Sequence, residues 1–284
     1  MIIKIYSSFS SSSNCKTVYE KLCEADSIDY YGKNKEIYIT DGEDYTHVII
    51  QNTAMPDIKH IPKENVLGLS FEPQEFLELS PEFIEYAIKY IGKYFIGDNS
   101  GLPYPFIEHF GYIWHKPPIR YIPIKKNRMS MMISKKYILK GHIYRHLLVD
   151  RILKSQLPID IYGSGCKYYN VKDDRLKGGF RENEILYESY DFHICIENSI
   201  LNEYFSEKLI NTFLYHATPL YIGCNNIEKY FPDCVIHLSG YIEKDMELFK
   251  SILNNPEKYK KKINIEKIKS KINLIKNIKK VFHD

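Results

Sequence analysis

The sequence predicts an α/β protein built of two doubly wound, Rossmann-like domains facing across a cleft. Three observations lead there. Short β-like runs alternate with helical ones, as in parallel sheets flanked by helices. A proline-rich stretch near the middle interrupts the alternation, which then starts again. A length of 284 residues is long for one core and suits two domains of about 100–150 residues each.

In the first series, residues 2–6, 36–40, 47–51 and 66–72 read as strands, and 15–23 and 81–91 as helices. The serine run from Ser7 to Ser13 is too short for a linker and forms the turn after the first strand. Residues 114–126, with Pro117, Pro118 and Pro123, form the loop between the series. In the second series, 129–134, 159–162, 193–197, 219–221 and 235–238 read as strands, separated by helices at 142–154, 182–190, 204–215 and 244–253. The expected domains are 1–125 and 126–260. Beyond them, Ile265, Ile268, Ile272, Ile275, Ile278 and Phe282 recur at helical spacing, so 261–284 reads as an amphipathic helix packed on the body. Its lysines face water, and contact with a membrane surface or a polyanion through them is the competing role.

A net charge of +3, 44% hydrophobic and 26% charged residues describe a water-soluble globular chain, without the concentrated basic excess of a nucleic-acid binder. The six cysteines, scattered without C-x-x-C spacing, indicate neither a zinc site nor a disulfide framework. The N-terminus lacks a signal-peptide core, and no run of about 18 apolar residues occurs, so the expected location is the cytoplasm unless a membrane stem precedes the sequence.

The chemistry concentrates between His193 and Gly223. Asp191-Phe192-His193-Ile194-Cys195-Ile196 is an apolar strand that delivers Glu197-Asn198-Ser199 to its carboxyl-terminal mouth, where doubly wound sheets bind ligands. Tyr204-Phe205-Ser206-Glu207-Lys208 then opens a helix, whose first-turn N–H groups favour an anion and whose Lys208 adds charge. Pro219-Leu220-Tyr221-Ile222-Gly223 follows as a buried strand and a glycine turn. Singly, each of these residues has an ordinary structural reading: Glu197 solvated at a strand end, Ser206 an N-cap, Glu207 a complement to the helix dipole.

Together, E-N-S, then Y-x-S-E-K-L, then P-L-Y-x-G resemble the donor-site signature of the α1,3-fucosyltransferases, family 10 of the glycosyltransferases. That resemblance implies a GT-B-like fold whose carboxyl-terminal half binds GDP-fucose. It implies that Glu197 and Asn198 line the fucose and phosphate pocket, that Tyr204 and Glu207 contact the nucleoside sugar or fucose, and that Lys208 pairs with phosphate. Ile196 stands where the family usually has Phe, and Ser206 where it has Thr. A looser match covers Met131-Met132-Ile133-Ser134, Arg145 and Ile159-Asp160-Ile161-Tyr162-Gly163, and puts Arg145 on the pyrophosphate. A guanidinium suits that task because its planar fork meets phosphate oxygens with parallel hydrogen bonds.

Sugar transfer with inversion also needs a carboxylate to take the acceptor's proton. Val66-Leu67-Gly68-Leu69-Ser70-Phe71 delivers Glu72 to a strand end in the other domain, just before Pro73, with apolar neighbours that raise a carboxyl's pKa. The competing role is a cap on the following turn. The family has a Glu followed closely by Pro at a corresponding strand end as its proposed base, so the resemblance too points to Glu72, and the rest of the amino-terminal half is expected to hold a glycan acceptor. No metal and no cofactor are expected, because Arg145 and Lys208 supply the two positive charges.

Two decoys are set aside. His142 and His146, four apart on one helix, lack a third ligand at a persuasive spacing and read as ordinary helix residues. Asp173-Asp174, among Lys172, Arg175 and Lys177, reads as a solvated loop, mobile over the donor, rather than a metal motif. Two alternatives keep the same fold: a transferase using another nucleotide sugar, and a non-catalytic binder of sugar nucleotides or glycans.

Overall fold

The structure, a computed structural model, describes residues 1–180 and 183–283. The chain forms two compact units. The first comprises Met1–Pro117, Leu201–Tyr204 and the stretch from Lys269 on; the second comprises Pro118–Ile200 and Phe205–Ile268. Each carries a six-stranded sheet in which every strand pairs parallel to its neighbours.

The first unit runs β1 (Ile2–Ser7), α1 (Ser12–Ala25), β2 (Tyr38–Thr40), β3 (His47–Gln51), β4 (Val66–Leu69), α2 (Gln74–Leu77), α3 (Pro81–Tyr90), β5 (Lys93–Ile96) and β6 (Phe106–Glu108). Its sheet order is β2-β1-β3-β4-β5-β6. Val48, Ile50, Val66, Tyr94 and Ile96 are buried in one core with Phe83 and Ala87 of α3. Side-chain caps start the helices: Ser11 Oγ accepts from Asn14 N, and Ser80 Oγ from Phe83 N with Pro81 at the first helical position. The expected strand over 66–72 stops at Leu69, after which Ser70 N still donates to Phe95 O while Phe71 N turns to Asn52 Oδ1.

The second unit contains β7 (Asn127–Met132), α4 (Lys140–Leu153), β8 (Ile159–Tyr162), β9 (Leu176–Gly178), β10 (Tyr190–Ile196), α5 (Glu207–Leu214), β11 (Thr218–Ile222), β12 (Ile236–His237) and α6 (Ile242–Asn254). Its sheet order, β9-β8-β7-β10-β11-β12, counts as 3-2-1-4-5-6 within the unit, the dinucleotide-binding arrangement. The order reverses between β7 and β10, so the unit's switch point is the crevice at their carboxyl ends. Every residue of β10 is buried, including Asp191, which pairs with Arg128 at 2.6 Å and Lys260 at 3.1 Å. His193 is also buried there. Ser130 Oγ donates to Leu186 O at 2.5 Å and lies 2.8 Å from His193 Nδ1, so that nitrogen carries the proton it donates to Ser130.

The helix expected over 182–190 is a single 3-10 turn, Asn183–Leu186, followed by β10; Glu182 lies outside the described residues. β5, β6 and β9 are strands that the sequence pattern does not predict.

The chain ends in α7 (Ile265–Ile272) and α8 (Leu274–His283), two helices where the periodicity suggested one. The break is Asn273, whose Oδ1 accepts from Lys276 N to start α8 while its Nδ2 donates to Asp26 Oδ2 at 2.7 Å. From Lys269 on, these helices belong to the first unit, joined to Asp26 by Lys269 at 3.0 Å and Lys276 at 3.3 Å. Ile268, Ile272, Ile275, Ile278 and Phe282 are all buried, and Phe282 packs edge-on against His47. The apolar face that an interfacial helix would insert into lipid is therefore occupied by protein. Among the described residues no helix is long and apolar enough to cross a membrane.

Candidate active site

Five of the predicted residues converge at the carboxyl end of β10. Glu197 N still donates to Ile222 O at 2.9 Å, so the residue is held in register with β11 one position past the strand. Its carboxylate turns to the start of α5, where Oε1 accepts from Ser206 N at 2.8 Å and Oε2 from Ser206 Oγ at 2.6 Å. The anion expected at this helix start is thus, within the protein itself, Glu197. Lys208 Nζ reaches Glu207 Oε1 and Ser206 Oγ, each at 3.1 Å, and lies 3.9 Å from Glu197 Oε2.

Burial raises the Glu197 carboxyl above the usual range, although Lys208 and the Ser206 bonds pull the other way. Burial would lower the Lys208 ammonium, but Glu207 and Glu197 outweigh it and leave the value raised, so the lysine is charged at neutral pH. Glu207, whose side chain is 40% exposed, is held low because Lys208 outweighs what desolvation it has.

Arg145, on α4, is buried with its guanidinium on two neutral oxygens: Nε donates to Ile196 O at 3.1 Å and Nη2 to Asn198 Oδ1 at 2.6 Å. It therefore clamps the last carbonyl of β10 and the amide side chain two residues on. Close approach of α4 to this strand end depends on Gly141, whose N donates to Asn198 O at 3.0 Å; a Cβ there would sit 1.8 Å from Glu197 O. On the other side, a Cβ at Gly223 would lie 2.4 Å from Glu197 Cγ and 2.6 Å from Tyr221 Oη. Two glycines let α4 and the turn after β11 close on Glu197. Gly223 ends the sequence motif, whereas Gly141 carried no signal beyond opening the helix that bears Arg145.

Beside this cluster lies a cavity of about 300 Å³ within the second unit, lined mainly by apolar side chains including Ile143, Tyr144, Ile196 and Ile222, with Glu197 and Gly240 at its wall. Asp245 shapes that wall. Its carboxylate accepts from Ser239 N and Ser239 Oγ, both at 2.8 Å, from Gly240 N at 3.1 Å and from the Tyr144 hydroxyl. Sequence reasoning missed Asp245, since its partners come from two segments far apart in the chain, Tyr144 on α4 and the adjacent Ser239 and Gly240.

The other two predicted residues belong to the first unit. Tyr204, expected within the helix that bears Lys208, precedes it: the helix begins at Glu207 with Ser206 as N-cap, and Tyr204 is buried with its Cβ against Gly97. Glu72 lies beyond β4, part-buried, its carbonyl accepting from Ser70 Oγ at 2.5 Å just before Pro73 and α2.

The histidine pair has structural duties. His142 Nδ1 accepts from Leu139 N at 3.1 Å, reaching back to the start of α4, and burial followed by the nearby Arg145 charge pushes its pKa down to about 4. His146 Nδ1 meets the Tyr169 hydroxyl at 3.0 Å. Among the described residues no three His, Cys, Asp or Glu side chains converge as a metal site. Asp173 is pinned rather than loose: it forms a two-oxygen pair with Arg175, which holds it at about 2 and which itself donates to the carbonyls of Ile152, Leu153, Ser155 and Leu157 at the end of α4.

A family model described as glycosyltransferase family 10 (fucosyltransferase) C-term matches residues 122–278. A putative fucosyltransferase of Acanthamoeba polyphaga mimivirus is 29% identical over 218 residues, which cover 68% of this chain and 34% of that protein. The chain thus spans about a third of that relative's length. An α1,3-fucosyltransferase solved with GDP-fucose is similar at a TM-score of 0.55 and 13% identity, over 100% of this chain and 90% of that one. A T4 phage BGT mutant in complex with UDP-glucose is similar at 0.53 and 11% identity, over 100% of both chains. At such identities the structural likeness shows the fold, the GT-B-like pair of Rossmann-type units. The match to the family model runs from before β7 into α8, over more than half the sequence, and the chain belongs to glycosyltransferase family 10, the fucosyltransferases.

Proposed function

We propose that this protein is an inverting glycosyltransferase that moves fucose from GDP-fucose to a hydroxyl of a glycan acceptor. The observation that carries the reading is the assembly of Arg145, Glu197, Asn198, Glu207 and Lys208 at the β7/β10 switch point of a family 10 chain. Support for the donor comes from the GDP-fucose complex of an α1,3-fucosyltransferase with the same fold.

In this proposal the diphosphate meets Arg145 and Lys208, two cations held in place before the donor arrives. Glu197 orients Lys208 and the first turn of α5 through its bonds to Ser206. Half-exposed Glu207 and the Asn198 amide accept hydroxyl hydrogens of the donor, and Tyr204 contacts its nucleoside sugar. As the acceptor oxygen bonds to the anomeric carbon, Glu72 takes its proton, the bond from that carbon to the diphosphate breaks, and GDP leaves with the electron pair. No metal or cofactor takes part in these steps.

Calorimetric titration with GDP, GDP-fucose, GDP-mannose and UDP-glucose tests the donor. The reading expects GDP and GDP-fucose to bind at one site per chain, with Arg145→Ala losing both. Preference for UDP-glucose would move the assignment to another donor class. Binding of none would end it.

A further inference from the structure

β1 ends where the first unit's strand order turns to β2 on one side and β3 on the other, so the loop after β1 lies at that unit's own switch point. The loop is closed by its serines. Phe9 N donates to Ser7 Oγ at 3.3 Å, Ser11 Oγ caps α1, and Ser12 Oγ donates to Ile5 O at 2.7 Å. These bonds brace the loop that presents Phe9, a residue 49% exposed. The ring rests on two others, Phe71 at 5.7 Å and Trp114 at 5.4 Å, which pack on each other at 5.7 Å. Behind them Trp114 meets Tyr19 edge-on at 6.4 Å.

A lone exposed phenyl needs no explanation on a protein surface. This one differs in three respects: it is fixed by a ring cluster, it stands at the mouth of a parallel sheet, and its supporting Phe71 immediately precedes Glu72 in the chain. A pyranose has an apolar face of C–H bonds and a rim of hydroxyls. A rigid, half-exposed aromatic face matches the first, since ring contact desolvates the C–H face while the hydroxyl rim stays in water.

We propose that Phe9 is the platform on which a sugar ring of the acceptor stacks, with Phe71 coupling that platform to Glu72. The role rests on the transferase reading and adds what the first unit recognises: the apolar face of a pyranose.

The chain has one tryptophan, Trp114, in direct contact with the platform, so its emission reports occupancy without any donor present. The full chain is titrated with lactose and with the methyl glycosides of galactose, glucose and N-acetylglucosamine. At least one should shift Trp114 emission saturably, Phe9→Ala should bind it about fivefold to tenfold more weakly, and Phe9→Tyr should bind within about twofold of the parent. Thermal melting of the same variants checks that the loop still folds. If no saccharide changes the emission, or if folded Phe9→Ala binds like the parent, the platform is wrong. Calorimetry with GDP-fucose on the same samples separates the two readings: donor binding without a saccharide response removes the platform alone, and a saccharide response without donor binding removes the transferase reading and with it the acceptor role, leaving Phe9 as a saccharide-binding ring only.

Discussion

Gly141→Ala is a one-methyl test of how α4 is docked on the β10 end, the proposed donor site. The new Cβ would lie 1.8 Å from Glu197 O, where ordinary contact begins at 3.4 Å, so 3.4 − 1.8 = 1.6 Å of separation must be found. Both partners are backbone, so either the first turn of α4 or the end of β10 moves. That movement breaks the bond from Gly141 N to Asn198 O and displaces Arg145, one turn further along, from Ile196 O and Asn198 Oδ1. Overpacking costs about 1–3 kcal/mol and the lost hydrogen bond about 1 kcal/mol more. At roughly 2–4 °C per kcal/mol, Tm should fall by roughly 5–15 °C. Turnover should fall by about 10²-fold even well below the melt, because a shift on the order of 1 Å in a positioning group has that effect. The control is Gly179→Ala, whose Cβ would meet nothing within 4 Å and which should melt like the parent. Differential scanning calorimetry and GDP-fucose titration on both variants decide the matter. A Gly141→Ala protein with parental Tm and donor affinity would refute the close docking of α4.

Four other outcomes follow from the same contacts. Glu72→Gln should lower turnover by about 10²-fold or more while GDP-fucose still binds, and near-normal turnover would remove Glu72 from the reaction. Arg145→Lys, which keeps the charge but loses the planar fork, should weaken GDP binding by about tenfold or more in calorimetry; unchanged affinity would mean that the guanidinium does not meet the diphosphate. Arg175→Ala should destabilise the chain by about 2–4 kcal/mol in urea unfolding, because the carbonyls of Ile152, Leu153, Ser155 and Leu157 lose their donor together; a loss under about 0.5 kcal/mol would contradict this cap. Burial alone would raise the Asp26 carboxyl, but Lys269 and Asn273 hold it low, so its contribution to docking α8 is complete above the unfolded value of about 3.9 and is lost as pH falls through the lower folded value. Melting followed from about pH 6 to pH 2 should show that acid-dependent loss in the parent and a smaller one in Asp26→Asn.

Much of the second unit was legible because its strands are buried on both faces and so read as apolar runs. Ile159–Tyr162 has the expected bounds, and β10 and β11 carry the motif residues at their ends. The start of α5 was readable in principle from Ser206, a strong N-cap, yet the run of apolar spacing back to Tyr204 extended the expected helix too far. β5 escaped notice because only Ile91 and Gly92 separate it from α3, and β9 because three residues on a sheet edge form no pattern. Tertiary facts left no trace at all. Nothing local says that Leu201–Tyr204 and the stretch from Lys269 group with the amino-terminal unit, whose first segment ends at Pro117, inside the loop where the break is expected. Asp173 illustrates the same limit, since its fixed pairing depends on Arg175 reaching the carbonyls that end α4.

The transferase proposal turns on whether the β10 end holds a nucleotide-activated fucose for inverting transfer. Its most direct measurement is proton NMR of the full chain with GDP-fucose, first alone and then with a saccharide that shifts Trp114 emission. GDP should be released together with a fucosyl product whose anomeric configuration is opposite to the donor's, formed by the parent and suppressed in Glu72→Gln. A product that retains the donor's configuration, or a donor that stays intact with every saccharide while it binds at the site, would contradict it.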